Sequence, residues 1–282
     1  MNKKHGTLYV VATPIGNLQD VTLRALTILK QVERIAAEDT RHAAILLNHF
    51  GIHKPILSLH DFNEQARVEA ILSHIEQGES IALISDAGTP LISDPGYHLT
   101  RAARARSIAV VPVPGACAAI AALSVAGLPT DRFVFEGFLP AKTQACFNRL
   151  SILQHESRTM VFYEAPHRLL ATLSVMCQVF GEAREAVIAR ELTKQYESVL
   201  GDSLAACQAY YEAHAEQLRG EIVILLAGHQ ATALEEKTVS PEQVLSVLLA
   251  ELPLKQAVSL ASEILGERKN VLYEKALAMR AE

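Results

Sequence analysis

The sequence predicts an α/β protein of two lobes, a parallel doubly wound sheet first and a mixed sheet second, followed by a small helical domain. Three observations carry that prediction. Through residue 112, strand-sized apolar runs alternate with segments of helical spacing, as parallel strands joined by crossover helices do. The alternation continues less regularly to residue 228, which suits a mixed sheet. From residue 240 onward every segment reads as helix.

The first lobe, residues 1–115, has strand-sized runs at Leu8–Ala12, Arg34–Ala36, Ile56–Leu59, Ile81–Ser85 and Ala109–Pro112. Between them Thr22–Gln31, His42–His49, Glu64–Gln77 and Tyr97–Ala105 have helical spacing. In the third, Ala66, Ala70, Ile71 and Ile75 form an apolar stripe, Asn63 suits the N-cap and Gly78 suits the residue past the end. A helix over Ala116–Ala126 opens the second lobe, residues 116–228. Its strands are Arg132–Gly137, Thr159–Tyr163, Ala186–Ala189, Ser198–Leu200 and Glu221–Leu226, with helices over 143–154, 167–179 and 203–217. Gly228–Thr238 is small and polar and suits a linker. In the tail, residues 240–282, Ser240 and Gln243 make a capping box with Pro241 at the first helical position. Pro253 starts a second helix, Gly266 ends it, and a third runs from Asn270 to Met279. The pattern fits a helix-turn-helix; a dimerisation or packing appendage is the alternative. Five basic against six acidic residues from 240 onward do not decide between them.

Composition narrows the function classes. Of 282 residues half are apolar and a fifth charged, which excludes a disordered chain. The formal charge of −5 gives no global positive field, and with 5% aromatics and no Trp a sheet paved with stacking rings is not expected. RNA contact therefore has to come from local patches. Cys117, Cys146, Cys177 and Cys207 lack zinc-ligand spacing and read as reduced thiols. His42 and His49, seven apart on one helix face, suit a surface better than a metal site, and no metal is expected. Residues 107–130 carry no charge, but Pro112, Pro114 and Gly115 break them into strand, turn and helix, so no membrane span is expected. The start, MNKKHGTLYVV, lacks the apolar core of a signal peptide, and a cytoplasmic protein is expected.

Three loops at strand ends carry the functional signal. The most informative is ISDAGTPLISDPG, residues 84–96, where Gly88 and Gly96 allow positive φ and Pro90 and Pro95 stiffen the chain. Thr13–Asp20 follows the first strand and Pro112–Ala116 the fifth. In a parallel sheet all three lie on one edge, where such folds bind ligands; the alternative for each is a structured turn without one. Charged strings sit beside them: Glu38-Asp39-Thr40-Arg41-His42, Tyr163–Arg168 and Arg190–Lys194, either a polar substrate cleft or salt-bridged helix starts. Neither GxGxxG, GxxxxGK[ST], GxSxG nor HExxH occurs.

Together the strings TPIGNLQDVTLRAL (13–26), AEDTRHAAILL (37–47), ISDAGTPLISDPG (84–96), VPVPGACAAIAAL (111–123), FEGFLP (135–140), YEAPHR (163–168) and RELTKQYE (190–197) resemble the tetrapyrrole-methylase superfamily, and within it the branch that methylates ribose in ribosomal RNA. The resemblance spans about residues 7–228 and extends to the helical tail. It implies two α/β lobes with S-adenosylmethionine folded between them, usually in a homodimer, and methylation of the 2′-oxygen of a decoding-centre cytidine in 16S rRNA, within the assembled small ribosomal subunit. By matching motif it assigns cofactor contacts to Pro14, Gly16, Asp86, Ala87, Gly88, Pro90, Ala116, Cys117, Tyr163 and Thr193. Ala116-Cys117 departs from the small hydroxyl residue common after this Pro-Gly, at the loss of one hydrogen bond.

The chemistry asks for little beyond an in-line approach of the ribose oxygen and an apolar cleft that favours loss of the sulfonium charge. A carboxylate can accept the hydroxyl proton; Asp20 and Glu191 are the first candidates, Glu38 and Asp39 the next. Phosphates are expected to meet Arg24, Arg41, Arg168, Arg190 and Lys194 at the cleft mouth and Lys255, Arg268, Lys269, Lys275 and Arg280 on the tail. The competing readings are a C-methyltransferase acting on a tetrapyrrole intermediate and an S-adenosylmethionine sensor without turnover.

Overall fold

The computed structural model describes residues 5–60, 64–230 and 241–281. Five strands, β1 (Thr7–Val11), β2 (Arg34–Ala37), β3 (Ile56–Ser58), β4 (Ile81–Ile84) and β5 (Ala109–Val113), form the first sheet in the order β3-β2-β4-β1-β5. Every pairing in it is parallel. Four crossover helices, α1 (Leu23–Gln31), α2 (Thr40–His49), α3 (Glu64–Glu76) and α4 (Tyr97–Ala105), cover it on both faces. Alternation along the strands divides the core. Leu8, Ile81 and Leu83 pack with α3 and α4, while Val11, Ala82 and Ile84 pack with α1 and α2. Thr22 caps α1 by accepting the Ala25 N–H at 3.1 Å, and Asp39 caps α2, which begins two residues before the expected start at His42.

The second sheet, β6 (Phe133–Phe138), β7 (Thr159–Glu164), β8 (Glu185–Arg190), β9 (Ser198–Ser203) and β10 (Ile222–Leu226), has the order β6-β7-β10-β8-β9. Only β6 and β7 are parallel, so the sheet is mixed as expected. Helices α6 (Thr143–Ile152), α7 (Leu169–Phe180) and α8 (Leu204–Ala213) cover one face. Against the other lie α5 (Ala118–Val125) and Ile15 from the loop after β1, so the two lobes share a core cluster. Helix α5 is shorter than the Ala116–Ala126 expected, because Cys117 stays extended as its N-cap residue. The expected helix 203–217 is interrupted at His214, with a 3₁₀ turn following.

Residues 1–228 form one compact unit and residues 229–282 another. The second contains α9 (Pro241–Glu251), α10 (Leu254–Leu265) and α11 (Lys269–Ala281), which enclose a core of their own around Leu245, Ala261, Leu272 and Ala276. Gly266 ends α10 in the left-handed conformation at φ 70°, with its N–H given to Ser262 O. The expected caps at Asn63 and Ser240, and all but the first residues of the expected linker, lie outside the described residues. Among the described residues no helix is long and apolar enough to cross a membrane.

Candidate active-site cleft

The three loops converge as their position on a parallel sheet requires. Thr13 and Gly88 exchange backbone hydrogen bonds at 2.8 and 3.1 Å, and Thr89 Oγ1 donates to Ala116 O at 2.9 Å. The loops after β1, β4 and β5 are thereby joined into one wall. Gly88 sits at φ +81°, and a Cβ there would stand 3.3 Å from Ile15 Cγ2, so both conformation and space call for glycine. The opposite wall comes from the second sheet. Because β10 runs antiparallel to β7 and β8, its first residue lies beside their last: Ile222 pairs with Glu164 and with Arg190.

Between the walls is a cleft of about 400 Å³, within the range of small-molecule sites. Of the expected cofactor contacts, Asp86, Ala87, Gly88, Cys117 and Tyr163 line it. The others do not. Pro14 is buried beside the lining residue Ile15, Ala116 spends its carbonyl on Thr89, and Pro90 faces a separate hollow with Thr100 and Arg104. Gly16 makes room: the Cε of Lys194 lies 2.6 Å from where its Cβ would be. Thr193 is held at φ 67° with its Oγ1 buried and without a hydrogen-bond partner. Tyr163 packs edge-on against Phe135 and Phe138 and accepts the Ala119 N–H at 3.1 Å. Burial, with the nearby Cys117 thiol, pushes its hydroxyl well above the usual tyrosine range.

The four candidate bases fare differently. Glu38 lines the cleft. Asp39 gives its N–H to Asp86 Oδ1 at 3.0 Å, and hydrogen bonds from the Arg41 guanidinium and N–H hold its own carboxyl far below the ordinary range. Burial alone would raise Glu191, but hydrogen bonds from Lys194 and the Glu221 N–H outweigh it and lower its carboxyl. Asp20 is exposed on the 3₁₀ turn Leu18–Asp20 and does not line the cleft.

Two expected phosphate ligands turn inward. Arg190 is 7% exposed and donates to Ser198 Oγ and Tyr196 O; Arg168 donates to Leu139 O at 2.7 Å and pairs with Glu164. Each guanidinium satisfies carbonyls of its own lobe, which corrects the expectation that they ring the mouth. Lys194 is likewise committed, with Nζ 2.9 Å from Glu191 and 3.1 Å from Glu221. Arg24 and Arg41 are exposed, the latter paired with Asp39. On the tail, Lys255 and Lys269 line a groove with Tyr273, whereas Lys275 pairs with Glu242. Among the described residues no three His, Cys, Asp or Glu side chains assemble as a metal site.

The sequence reading missed Ile15, Phe138 and the acidic pair Glu164 and Glu221, all lining residues. Glu164 stood inside the quoted string YEAPHR, and Glu221 follows Gly220 at a strand start; only the strand directions bring them to one site. With Glu38, Asp86 and Asp94 among its lining and Ile15, Ile92 and Phe138 as apolar surface, the cleft suits a small ligand carrying positive charge.

Residues 7–207 match the family described as Tetrapyrrole (Corrin/Porphyrin) Methylases, and residues 235–280 match the one described as RsmI C-terminal HTH domain. The chain is 56% identical to the Ribosomal RNA small subunit methyltransferase I of Pseudomonas aeruginosa, over 96% of this chain and 97% of that one. It is 50% identical to the protein of that name in Escherichia coli O157:H7, over 98% of this chain and 96% of that one. Among solved structures it resembles the uroporphyrin-III-C-methyltransferase of Thermus thermophilus (TM-score 0.56, 19% identity, 79% of this chain and 94% of that one). It also resembles a diphthine synthase (TM-score 0.61, 13% identity, 82% and 93%). At these identities the structural likenesses speak for the fold.

Proposed function

The chain belongs to the tetrapyrrole (corrin/porphyrin) methylase family, and from that premise we propose that it is the S-adenosylmethionine-dependent enzyme that methylates a ribose 2′-oxygen in small-subunit ribosomal RNA. One observation carries the reading: the likeness to the rRNA methyltransferases runs end to end, through the cleft loops and on through the tail. The finer acceptor, a decoding-centre cytidine of 16S rRNA in the assembled subunit, rests on the resemblance of the motifs, as do a homodimer and a cytoplasmic location.

S-adenosylmethionine fits the residues present. The cleft has the volume, the turn at Gly88 lets backbone approach a ligand, and the carboxylates suit a sulfonium and an ammonium group. When bound, it supplies an electrophilic methyl group. The chain's own work is to hold and dry the site. Asp86, Ala87, Gly88, Cys117 and Tyr163 are the proposed contacts, and Ile15, Ile92 and Phe138 keep water from the reacting atoms. Phosphates are proposed to meet Arg24 and Arg41, with Lys255 and Lys269 on the tail.

The test offers methyl-labelled S-adenosylmethionine with small subunits lacking the modification, naked rRNA, or a tetrapyrrole precursor. Label in alkali-resistant ribose supports the proposal and identifies the substrate state. Label in the tetrapyrrole keeps the fold and overturns the function, and binding without transfer leaves a sensor.

A further inference from the structure

Ribose methylation leaves one proton to dispose of, and the corner where β2, β4 and α2 meet holds a histidine arranged to take it. Asp86 Oδ2 lies 3.2 Å from His42 Nδ1, and Asp86 Oδ1 accepts the backbone N–H of Asp39 at 3.0 Å. A carboxylate has no proton to give, so Nδ1 is the donor and the neutral ring is left with a bare lone pair on Nε2. A carboxylate fixed by a backbone amide, orienting an imidazole through Nδ1, is the arrangement by which hydrolytic triads make histidine a base.

Position supports the same role. With S-adenosylmethionine in a cleft of about 400 Å³ there is no room for a nucleotide as well, and the ribose has to present its hydroxyl at the mouth. The His42 side chain, 65% exposed, does not itself line the cleft but stands against Asp86, 37% exposed, which does. Three of the carboxylates compete poorly. Asp39 and Glu191 are tied to cations, and Glu164, with a side chain 0% exposed, is held by Thr172 and Arg168. The charged groups shown acting on the ring are Asp86 from the loop after β4 and Asp39 from the turn that opens α2, the latter paired in turn with Arg41, while Glu38 precedes Asp39 in the chain.

We propose that His42, oriented by Asp86, is the general base that accepts the proton of the ribose 2′-hydroxyl during methyl transfer. The proposal rests on the ribose-methyltransferase reading above. The 2′-oxygen passes its proton to Nε2 while its electron pair forms the O–CH₃ bond. The methyl–sulfur bond breaks with its pair on sulfur, leaving a neutral thioether, and the imidazolium returns the proton to solvent. His42 is thereby the catalytic residue and Asp86 the positioning one.

The experiment compares wild type with His42→Ala and Asp86→Asn by three readouts. Ring ¹⁵N shifts of His42 in the protein without RNA should show the proton on Nδ1 in wild type and mixed tautomers in Asp86→Asn. Single-turnover transfer to small subunits should fall at least 100-fold in His42→Ala, in the usual range for a lost general base, with S-adenosylmethionine affinity within threefold. The acid limb of the rate–pH profile should vanish in that variant, and added imidazole should restore at least tenfold. A proton on Nε2 in wild type, a rate loss under tenfold, or a larger loss that keeps the acid limb and ignores imidazole overturns the proposal. If wild type itself puts label elsewhere than ribose, the underlying reading fails instead, and the site of the label distinguishes the two.

Discussion

The two rims of the cleft are fastened by different forces. On the first sheet, residues 84–96 are stitched by backbone: Thr13 and Gly88 trade two hydrogen bonds, and Thr89 reaches Ala116 O. On the second, the lining residue Glu221 is tied by charge to residues 190–197, which stand behind the cleft: Lys194 sits between Glu191 and Glu221, and Glu197 accepts the Thr193 N–H at 2.5 Å. Both turns hold residues at positive φ, Gly88 and Gly96 with Leu91 and Ser93 in the first, Glu191 and Thr193 in the second. Backbone hydrogen bonds between neutral groups are indifferent to salt and to moderate pH, whereas an ammonium between two carboxylates is not. The first rim therefore sets the shape of the cleft, and the second is the part that answers to solution conditions.

The largest expected effect tests the stitched rim. Gly88→Val puts a branched side chain at φ +81° and 3.3 Å from Ile15, and should cost about 3 kcal/mol of stability together with most of the cofactor affinity. Thermal melts with and without S-adenosylmethionine separate the two losses. Next comes the charged rim. Lys194→Met keeps the stem against Gly16 but leaves Glu191, 18% exposed, without its ammonium, at about 2 kcal/mol. Adding Glu191→Gln should recover part of that, and a double-mutant cycle that shows no coupling would mean the rim is not held by charge at all.

Acid should open the same rim. Glu191 has its carboxyl lowered in the folded chain, so its contribution is complete above the ordinary glutamate value of about 4.3 and is lost as pH falls through the lowered one. Urea midpoints measured between pH 7 and pH 3 should decline less steeply for Glu191→Gln than for wild type.

The smaller effects sharpen the contrast. Thr193→Gly relieves a β-branched residue at φ 67° and should raise stability by about 1 kcal/mol, or about 3 °C; a drop would show that the buried Oγ1 has a use the strain serves. Arg41, with a side chain 88% exposed and paired with Asp39, should leave the urea midpoint unchanged when changed to Ala. If it meets a phosphate, the log–log salt slope of RNA binding should flatten by about one.

Local chemistry was enough to write the elements. Helix Tyr97–Ala105 stands where its spacing put it, Gly266 closes α10 as a glycine after a periodic run does, and the fully buried run Ile81–Ile84 became the central strand of a parallel sheet. The convergence of the three loops followed from the same alternation, since parallel strands end on one edge. What tertiary structure alone decided is which side chains meet. The antiparallel course of β10 brings Glu221 to the cleft, and the stem of Lys194 occupies the space a side chain on Gly16 would need. Arg168 and Arg190 look like phosphate ligands in the string and are spent on carbonyls of their own lobe, while His42, read as a surface histidine, is tied to Asp86 44 residues away. Periodicity records whether a residue faces the core, because burial repeats with the element. Which polar partner a residue finds there depends on strand order and direction, which no local stretch of sequence encodes.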